Sequence, residues 1–419
     1  MLKVVSNQKE DSKEITSTLD LLARDGAKQM LLMALQVEVD EYVSRHKNLV
    51  DGDGHRLVVK NGVGQSRSIT VGSGSIDVRA PRVNDRRDGE RFLSSILPPY
   101  LRKSPKVESL LPLLYLKGLS TNHFKTALSE FLGDGTLGLS PASIAKLKKQ
   151  WDAEYESWSR RKITKKYVYI WADGVNVSVR LGEDKKICLL VILGATEDGD
   201  KEVLAVHPGY RESAESWSVV LRSLIERGMT APLLAIGDGA LGFWKALRGC
   251  EGFEKTEEQR CWVHKVANVL DKLPKRIQSD AKRLLHEMMK AETENDALKA
   301  RQSFEKLYND KYPKAVDCLV KNWSELTTFF KYPALHWQHI RTTNPIESSF
   351  ATVKLRTKVT KGAGSKNAAT VMAFKLLLEC EKRWRKLRGY QEIQNLLKGL
   401  AYKDGIMIPT EQHHETAAS

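Results

Sequence analysis

Three acids in this chain stand where an acid is costly to keep. Asp173 closes the run Tyr167-Val-Tyr-Ile-Trp-Ala-Asp-Gly, in which Val168, Ile170 and Ala172 share one face and Tyr167, Tyr169 and Trp171 the other. Such a run reads as a strand covered on both sides, and Gly174 predicts a turn directly after it. Asp238 follows 65 positions on (238 − 173), just past a second apolar strand at Leu233-Leu-Ala-Ile-Gly. Glu347 comes another 109 positions along (347 − 238), at the start of a helix in Thr343-Asn-Pro-Ile-Glu. A carboxylate at the end of a buried strand pays desolvation unless something positive meets it. Two strand-end aspartates and a helix-borne glutamate have the oxygen donors to hold two Mg²⁺ ions, the arrangement phosphoryl transfer uses.

Each acid also has a purely local reading. Asp173-Gly174 and Asp238-Gly239 are ordinary turn dipeptides. Asn344 can cap a helix with Pro345 in its first position and Glu347 as the capping-box partner. The basic flank weighs on the other side: Lys354, Arg356, Lys358 and Lys361 follow Glu347 with no acid among them. Lys354, Lys358 and Lys361 fall at i, i+4 and i+7, one helical face suited to phosphates. Cys261-x-x-His264 supplies two soft ligands, half a zinc site, and no second pair follows at finger spacing. Trp323 and Trp337 read as core residues or as platforms for an exposed base.

The elements that must position these groups follow from composition and period. The chain has 419 residues, 41% of them hydrophobic, enough for two or three cores. A net charge of +15 points to a polyanionic partner, most simply nucleic acid. Five cysteines in no paired framework suit a reducing compartment, and neither a membrane span nor an apolar signal core is present, so a cytoplasmic protein is expected. Residues 1–50 predict a helical segment, with Leu31, Leu35, Val39 and Tyr42 at helical spacing, and 51–105 a small β-rich basic segment. Residues 106–160 predict three helices, the second over Phe124 to Leu132 and the last carrying Lys146, Lys148 and Lys149. That order fits a helix-turn-helix DNA-binding region, or any small helical bundle. Strands and helices alternate over 161–270, as in an α/β domain. Residues 271–340 predict a helical insertion. Residues 341–402 complete the domain with the Glu347 helix and a C-terminal helix over Ala368 to Leu387, and 403–419 form a polar tail.

In order, Trp171-Ala-Asp-Gly, Gly237-Asp-Gly, Arg260-Cys-Trp-Val-His-Lys and Arg341-Thr-Thr-Asn-Pro-Ile-Glu-Ser resemble the sequence blocks of mutator-type bacterial insertion-sequence transposases, over roughly Leu19 to Tyr402. The resemblance implies an α/β RNase H-like catalytic domain with a helical insertion, preceded by a mainly helical DNA-binding region. In that domain the first and fourth strands lie side by side. Asp173, Asp238 and Glu347 match the family's Asp-Asp-Glu triad, and Cys261 and His264 its Cys-or-Asp, two residues, His signature, in a supporting role. It further implies Mg²⁺, replaceable by Mn²⁺, as two ions, and double-stranded DNA, both element ends and target, as partner. A homodimer or larger assembly on DNA is expected, in a bacterial cytoplasm and nucleoid-associated when bound. Two rivals stay open: a DNA-binding regulator with an inactive catalytic fold, and a nuclease that cuts branched DNA without joining it.

Overall fold

The computed structural model describes residues 8–116, 141–180, 186–209, 211–239, 241–359 and 362–409. The chain divides into two compact units, Met1–Gln150 and Trp151–Ser419.

In the first unit, α1 (Gln8–Arg45) is a single 38-residue helix. Leu35 and Val39 bury one stripe of it, and Glu38 beside them accepts hydrogen bonds from the Ser95 amide and hydroxyl, each at 2.6 Å. The β-rich segment holds two antiparallel pairs. β1 (Val58–Val63) pairs with β4 (Pro81–Asp85), and β2 (Arg67–Val71) with β3 (Gly74–Val78), where Ile69 faces Ile76. Leu35, Ile69, Ile76, Val78 and Leu97 form the core. α2 (Pro105–Leu116) follows, then α3 (Pro141–Ser159), which begins in this unit and ends in the second and carries exposed Lys146, Lys148 and Lys149. The middle helix of the expected trio lies outside the described residues.

The second unit is built on a five-stranded mixed sheet of order β7-β6-β5-β8-β9: β5 (Tyr167–Ser178), β6 (Lys186–Thr196), β7 (Lys201–Gly209), β8 (Leu234–Gly237) and β9 (Glu257–Arg260). β5, β6 and β7 run antiparallel, whereas β8 and β9 join in parallel. β6 is buried from Ile187 to Thr196, as a strand covered on both faces must be. The first and fourth strands lie side by side, Tyr169 against Leu234 through Ala172 against Gly237, as the resemblance implied.

Two expectations need correction here. β5 does not end at Asp173, and Gly174 is not a turn: Asp173 faces Val191, and pairing with β6 continues to Ser178 against Lys186. Val175 and Val177 carry the inward alternation onward, so the ladder on that side has no reason to stop. It is β8 that stops, leaving Asp173 paired on one side only. β9 was not foreseen at all, since Glu257-Glu-Gln-Arg260 has the polarity of an edge strand rather than of a buried one.

α4 (Ala214–Glu226) connects β7 to β8, burying Trp217, Val220, Leu221 and Leu224; the Ser213 hydroxyl caps it, accepting from the Ser216 amide at 3.2 Å. Then come α5 (Leu241–Arg248) and α6 (Trp262–Leu270). The insertion is helical, with α7 (Gln278–Lys290), α8 (Glu294–Tyr308), α9 (Pro313–Val320), α10 (Trp323–Thr327) and α11 (Trp337–Ile340). Trp337 packs edge-on against Phe329 and Phe330 and donates to the Tyr332 carbonyl at 2.8 Å, so it is a core residue. Trp323 stands edge-on to Trp262 with the Arg301 guanidinium over its ring. α12 (Asn344–Val359) carries Glu347, and α13 (Lys366–Glu381) ends six residues short of the expected Leu387. Among the described residues no helix is long and apolar enough to cross a membrane.

Candidate active site

The parallel register of β5 and β8 sets two of the acids level. Ala172 pairs with Gly237, so Asp173 and Asp238 each come one residue later, on strands about 4.8 Å apart. The Gly174 amide donates to Asp173 Oδ1 at 2.8 Å, and the Gly239 amide donates to Asp238 Oδ1. The Trp244 indole fixes the backbone there by donating to the Asp238 carbonyl at 2.7 Å.

The third acid reaches the same corner through a chain of contacts. Cys261 follows β9, and its amide donates to the Gly237 carbonyl at 2.8 Å. Its buried sulfur accepts from the amide and the hydroxyl of Thr343, at 3.3 and 3.2 Å. The Thr343 carbonyl accepts from the amides of Ile346 and Glu347, both at 3.0 Å, and so starts α12. The Thr343 hydroxyl also lies within hydrogen-bond reach of the Glu347 carboxylate. The capping-box reading is therefore corrected: Asn344 is already helical, and the Thr343 amide goes to sulfur rather than to Glu347.

His264, one turn into α6, binds the corner together. Its Nδ1 is 3.8 Å from Asp238 Oδ1 and 3.7 Å from Glu347 Oε1. The contact with the Cys261 sulfur, followed by the charges of Cys261, Asp238 and Glu347, raises its pKa to about 9 against the opposing effect of burial. Burial pushes the Asp173 carboxyl up to about 7, and the charges of Glu212 and Glu347 add to the effect; the Gly174 amide and His264 oppose it. A buried carboxyl that holds its proton near neutrality has too few positive neighbours for its charge.

Glu212 was missed by sequence reasoning. It sits half-buried just before α4, its pKa raised by burial and then by the Asp238 charge. The only sequence signal was position, next to the Ser213 cap. Cys188 lies beside Glu212 and Asp173, and burial together with their charges pushes its thiol up to about 12.

The donor chemistry suits a divalent cation. Carboxylate oxygens are what Mg²⁺ and Mn²⁺ take. The ligand atoms of Cys261, His264 and Glu347 also lie within 4.8 Å of one another, so Glu347 adds a third donor to what read as half a zinc site. The Cys261 sulfur, however, is already engaged as acceptor of two hydrogen bonds from Thr343.

The basic residues behind Glu347 separate. Lys354 and Lys358 are exposed, whereas Arg356, 4% exposed, shares the buried face of α12 with Val353 three positions earlier, so it is not part of an open phosphate-facing surface. Lys361 lies outside the described residues.

Proteins of known kind share this sequence over most of its length. The chain is 49% identical over 316 residues to the transposase for insertion sequence element IS6120 of Mycolicibacterium smegmatis, covering 75% of this chain and 97% of that protein. It is 47% identical over 297 residues to the transposase for IST2 of Acidithiobacillus ferrooxidans, 70% of this chain and 99% of that one. The transposase for IS256 in transposon Tn4001 of Staphylococcus aureus is 25% identical over 387 residues, 89% of this chain and 95% of its own. Residues 2–386 match the family described as transposase, mutator family, and the chain belongs to it. Membership implies DNA as its partner.

Proposed function

We propose that this protein binds the terminal inverted repeats of an insertion sequence and carries out metal-dependent strand cleavage followed by 3′-hydroxyl strand transfer. The sheet order, with its first and fourth strands adjacent, Asp173 within the first and Asp238 directly after the fourth, supports an RNase H-like reading of the domain. The observation that carries the proposal is the convergence at one corner: Asp173 and Asp238 level on parallel strands, and Asp238 and Glu347 both within 4 Å of His264.

Asp173, Asp238 and Glu347 would hold two divalent cations, Mg²⁺ or Mn²⁺, which when bound activate the attacking oxygen and stabilise the leaving one. The chain's own residues prepare that site. Asp173, with a pKa of about 7, is partly protonated at neutral pH and would give up that proton to act as a metal ligand. His264 keeps a positive charge between Asp238 and Glu347 and restrains both carboxylates. Thr343, held by the Cys261 sulfur, sets the first turn from which Glu347 projects. Exposed Lys146, Lys148 and Lys149 on α3, and Lys354 and Lys358 on α12, supply phosphate contacts. The active form is a homodimer or larger assembly on DNA, working in the bacterial cytoplasm at the nucleoid.

The test is a strand-transfer assay with a terminal-repeat duplex, a target plasmid and Mg²⁺. Joined products are expected from wild type and none from Asp173→Asn, Asp238→Asn or Glu347→Gln, with duplex binding retained. Cut but never joined DNA would favour a nuclease. Binding with no metal-dependent chemistry would favour a regulator.

A further inference from the structure

We infer that Glu212 is a fourth carboxylate of this metal site, donating to a divalent cation alongside the three acids of the proposed triad. The inference rests on the functional reading above and deepens it.

The first observation is the space kept for it. A Cβ on Gly174, the residue after Asp173, would run into Glu212 Oε1, lie 2.8 Å from Glu212 Cδ and 2.9 Å from Cys188 Sγ. β5 continues through Gly174, and the glycine has no positive φ there, so the turn it was expected to make is not the reason for it. What glycine does provide is room for a carboxylate against the strand, on the face of β5 opposite the Asp173 side chain and at a level that β8 no longer covers. A second glycine holds the other side of the segment. A Cβ on Gly242 would collide with the Glu212 carbonyl and approach the Ala214 amide at 2.9 Å. Two glycines from different elements thus fit closely around one glutamate.

The second observation is the state of that glutamate. It is half-buried, and among the described residues no hydrogen bond or ion pair reaches its carboxylate. Other half-buried acids of this unit are satisfied: Glu258 by Arg248 at 2.6 Å, and Glu381 by the Val203 amide at 2.6 Å. A desolvated carboxylate without a donor is stabilised by a cation, and the charges it meets in the fold are those of Asp173, Asp238 and His264. Oxygen-rich coordination by several carboxylates is what Mn²⁺ and Mg²⁺ accept.

The experiment is calorimetric titration of Mn²⁺, without DNA, into chelator-treated full-length wild type, Glu212→Gln and Asp173→Asn. Thermal unfolding without metal serves as the folding control. Glu212→Gln is expected to weaken Mn²⁺ binding at least about tenfold, the lower end of what removing a group from a metal site costs, while unfolding without metal is unchanged. If Asp173→Asn loses binding and Glu212→Gln stays within about twofold of wild type, Glu212 is no ligand and the proposed triad stands. If neither variant changes Mn²⁺ binding, the triad reading fails and this inference fails with it. Should the glutamine variant not fold, Glu212→Asp keeps the charge and withdraws it by one methylene; several-fold weaker binding supports the assignment, and unchanged binding overturns it.

Discussion

The dipeptide Asp-Gly occurs in both units, and the fold uses it in opposite ways. Asp51-Gly52 lies in an exposed loop, where Asp51 Oδ1 accepts from the amides of Asp53 and His55 at 3.1 and 2.8 Å. A Cβ on Gly52 would meet nothing within 4 Å. Asp173-Gly174 continues a buried strand, where the carboxylate takes only the next amide and the glycine is crowded by Glu212 and Cys188. Both places offer three possible metal ligands, Asp51, Asp53 and His55 in the loop, Cys261, His264 and Glu347 at the corner beside Asp173. The loop gives Asp51 two backbone amides and leaves Asp53 exposed. The corner leaves Asp173 short of positive charge. Ligand types in proximity do not by themselves make a metal site; under the proposed function, what sets the corner apart is the deficit of positive charge that burial creates at Asp173.

The largest effect separates the two regions by activity. Asp173→Asn should lower strand transfer by at least about 10²-fold, the scale of losing a charge-stabilising group at a reacting centre, whereas Asp53→Asn should leave it unchanged. Comparable losses in the two variants, measured on the same terminal-repeat duplex, would erase the contrast.

Metal should distinguish them next. Mg²⁺ at about 100 times its dissociation constant should stabilise wild type and Asp53→Asn by about 2.7 kcal/mol, and Asp173→Asn far less. The pH dependence without metal sharpens the point. Asp173 has its folded pKa raised from 3.8 to about 7, and His264 from 6.5 to about 9. Both hold protons more tightly folded than unfolded, so their stabilisation is lost as pH rises. The Asp173 contribution is full below about pH 3.8 and gone above about 7; the His264 contribution is full below about 6.5 and gone above about 9. In chelator, the unfolding midpoint of wild type should fall relative to Asp173→Asn between pH 4 and 7. A wild-type midpoint that rises relative to Asp173→Asn over that range would refute the raised pKa.

The glycines themselves give a smaller effect. Gly174→Ala should destabilise by about 1–3 kcal/mol through overpacking, and Gly52→Ala should stay within about 0.5 kcal/mol, as denaturant midpoints would read. The smallest effect concerns charge spread along a surface. Lys354→Ala with Lys358→Ala should weaken duplex binding regardless of sequence and flatten log K against log salt by up to about two units. An unchanged slope would mean that this face of α12 does not meet phosphate.

Much of this was legible in the sequence because it follows from period and polarity. The strand at Tyr167 to Asp173, the covered run from Ile187, the Trp217 face of α4 and the helical insertion all announce themselves by spacing. The continuation of β5 was legible too, since Val175, Val177 and Val179 alternate, but the Asp-Gly pair read more strongly as a turn. β9 was hidden because an edge strand needs no apolar run. Arg356 read as one more basic residue behind Glu347; its spacing puts it off the Lys354 and Lys358 face, but period alone does not say which side of α12 is buried. Glu212 could not be found from its neighbours: its significance lies in Gly174, 38 positions earlier, and only the tertiary fold brings the two together (212 − 174).

The bond between Thr343 and the Cys261 sulfur spans 82 positions and closes the insertion on itself at the corner that holds Asp238 and Glu347. The order of synthesis gives this a consequence. The sheet bearing Asp173 and Asp238 is encoded before the insertion, and the proposed third acid only after it. A chain interrupted anywhere before Glu347 thus folds, at most, into a scaffold with two of its three acids. An enzyme that cuts the genome encoding it would, by this arrangement, be harmless until almost fully made.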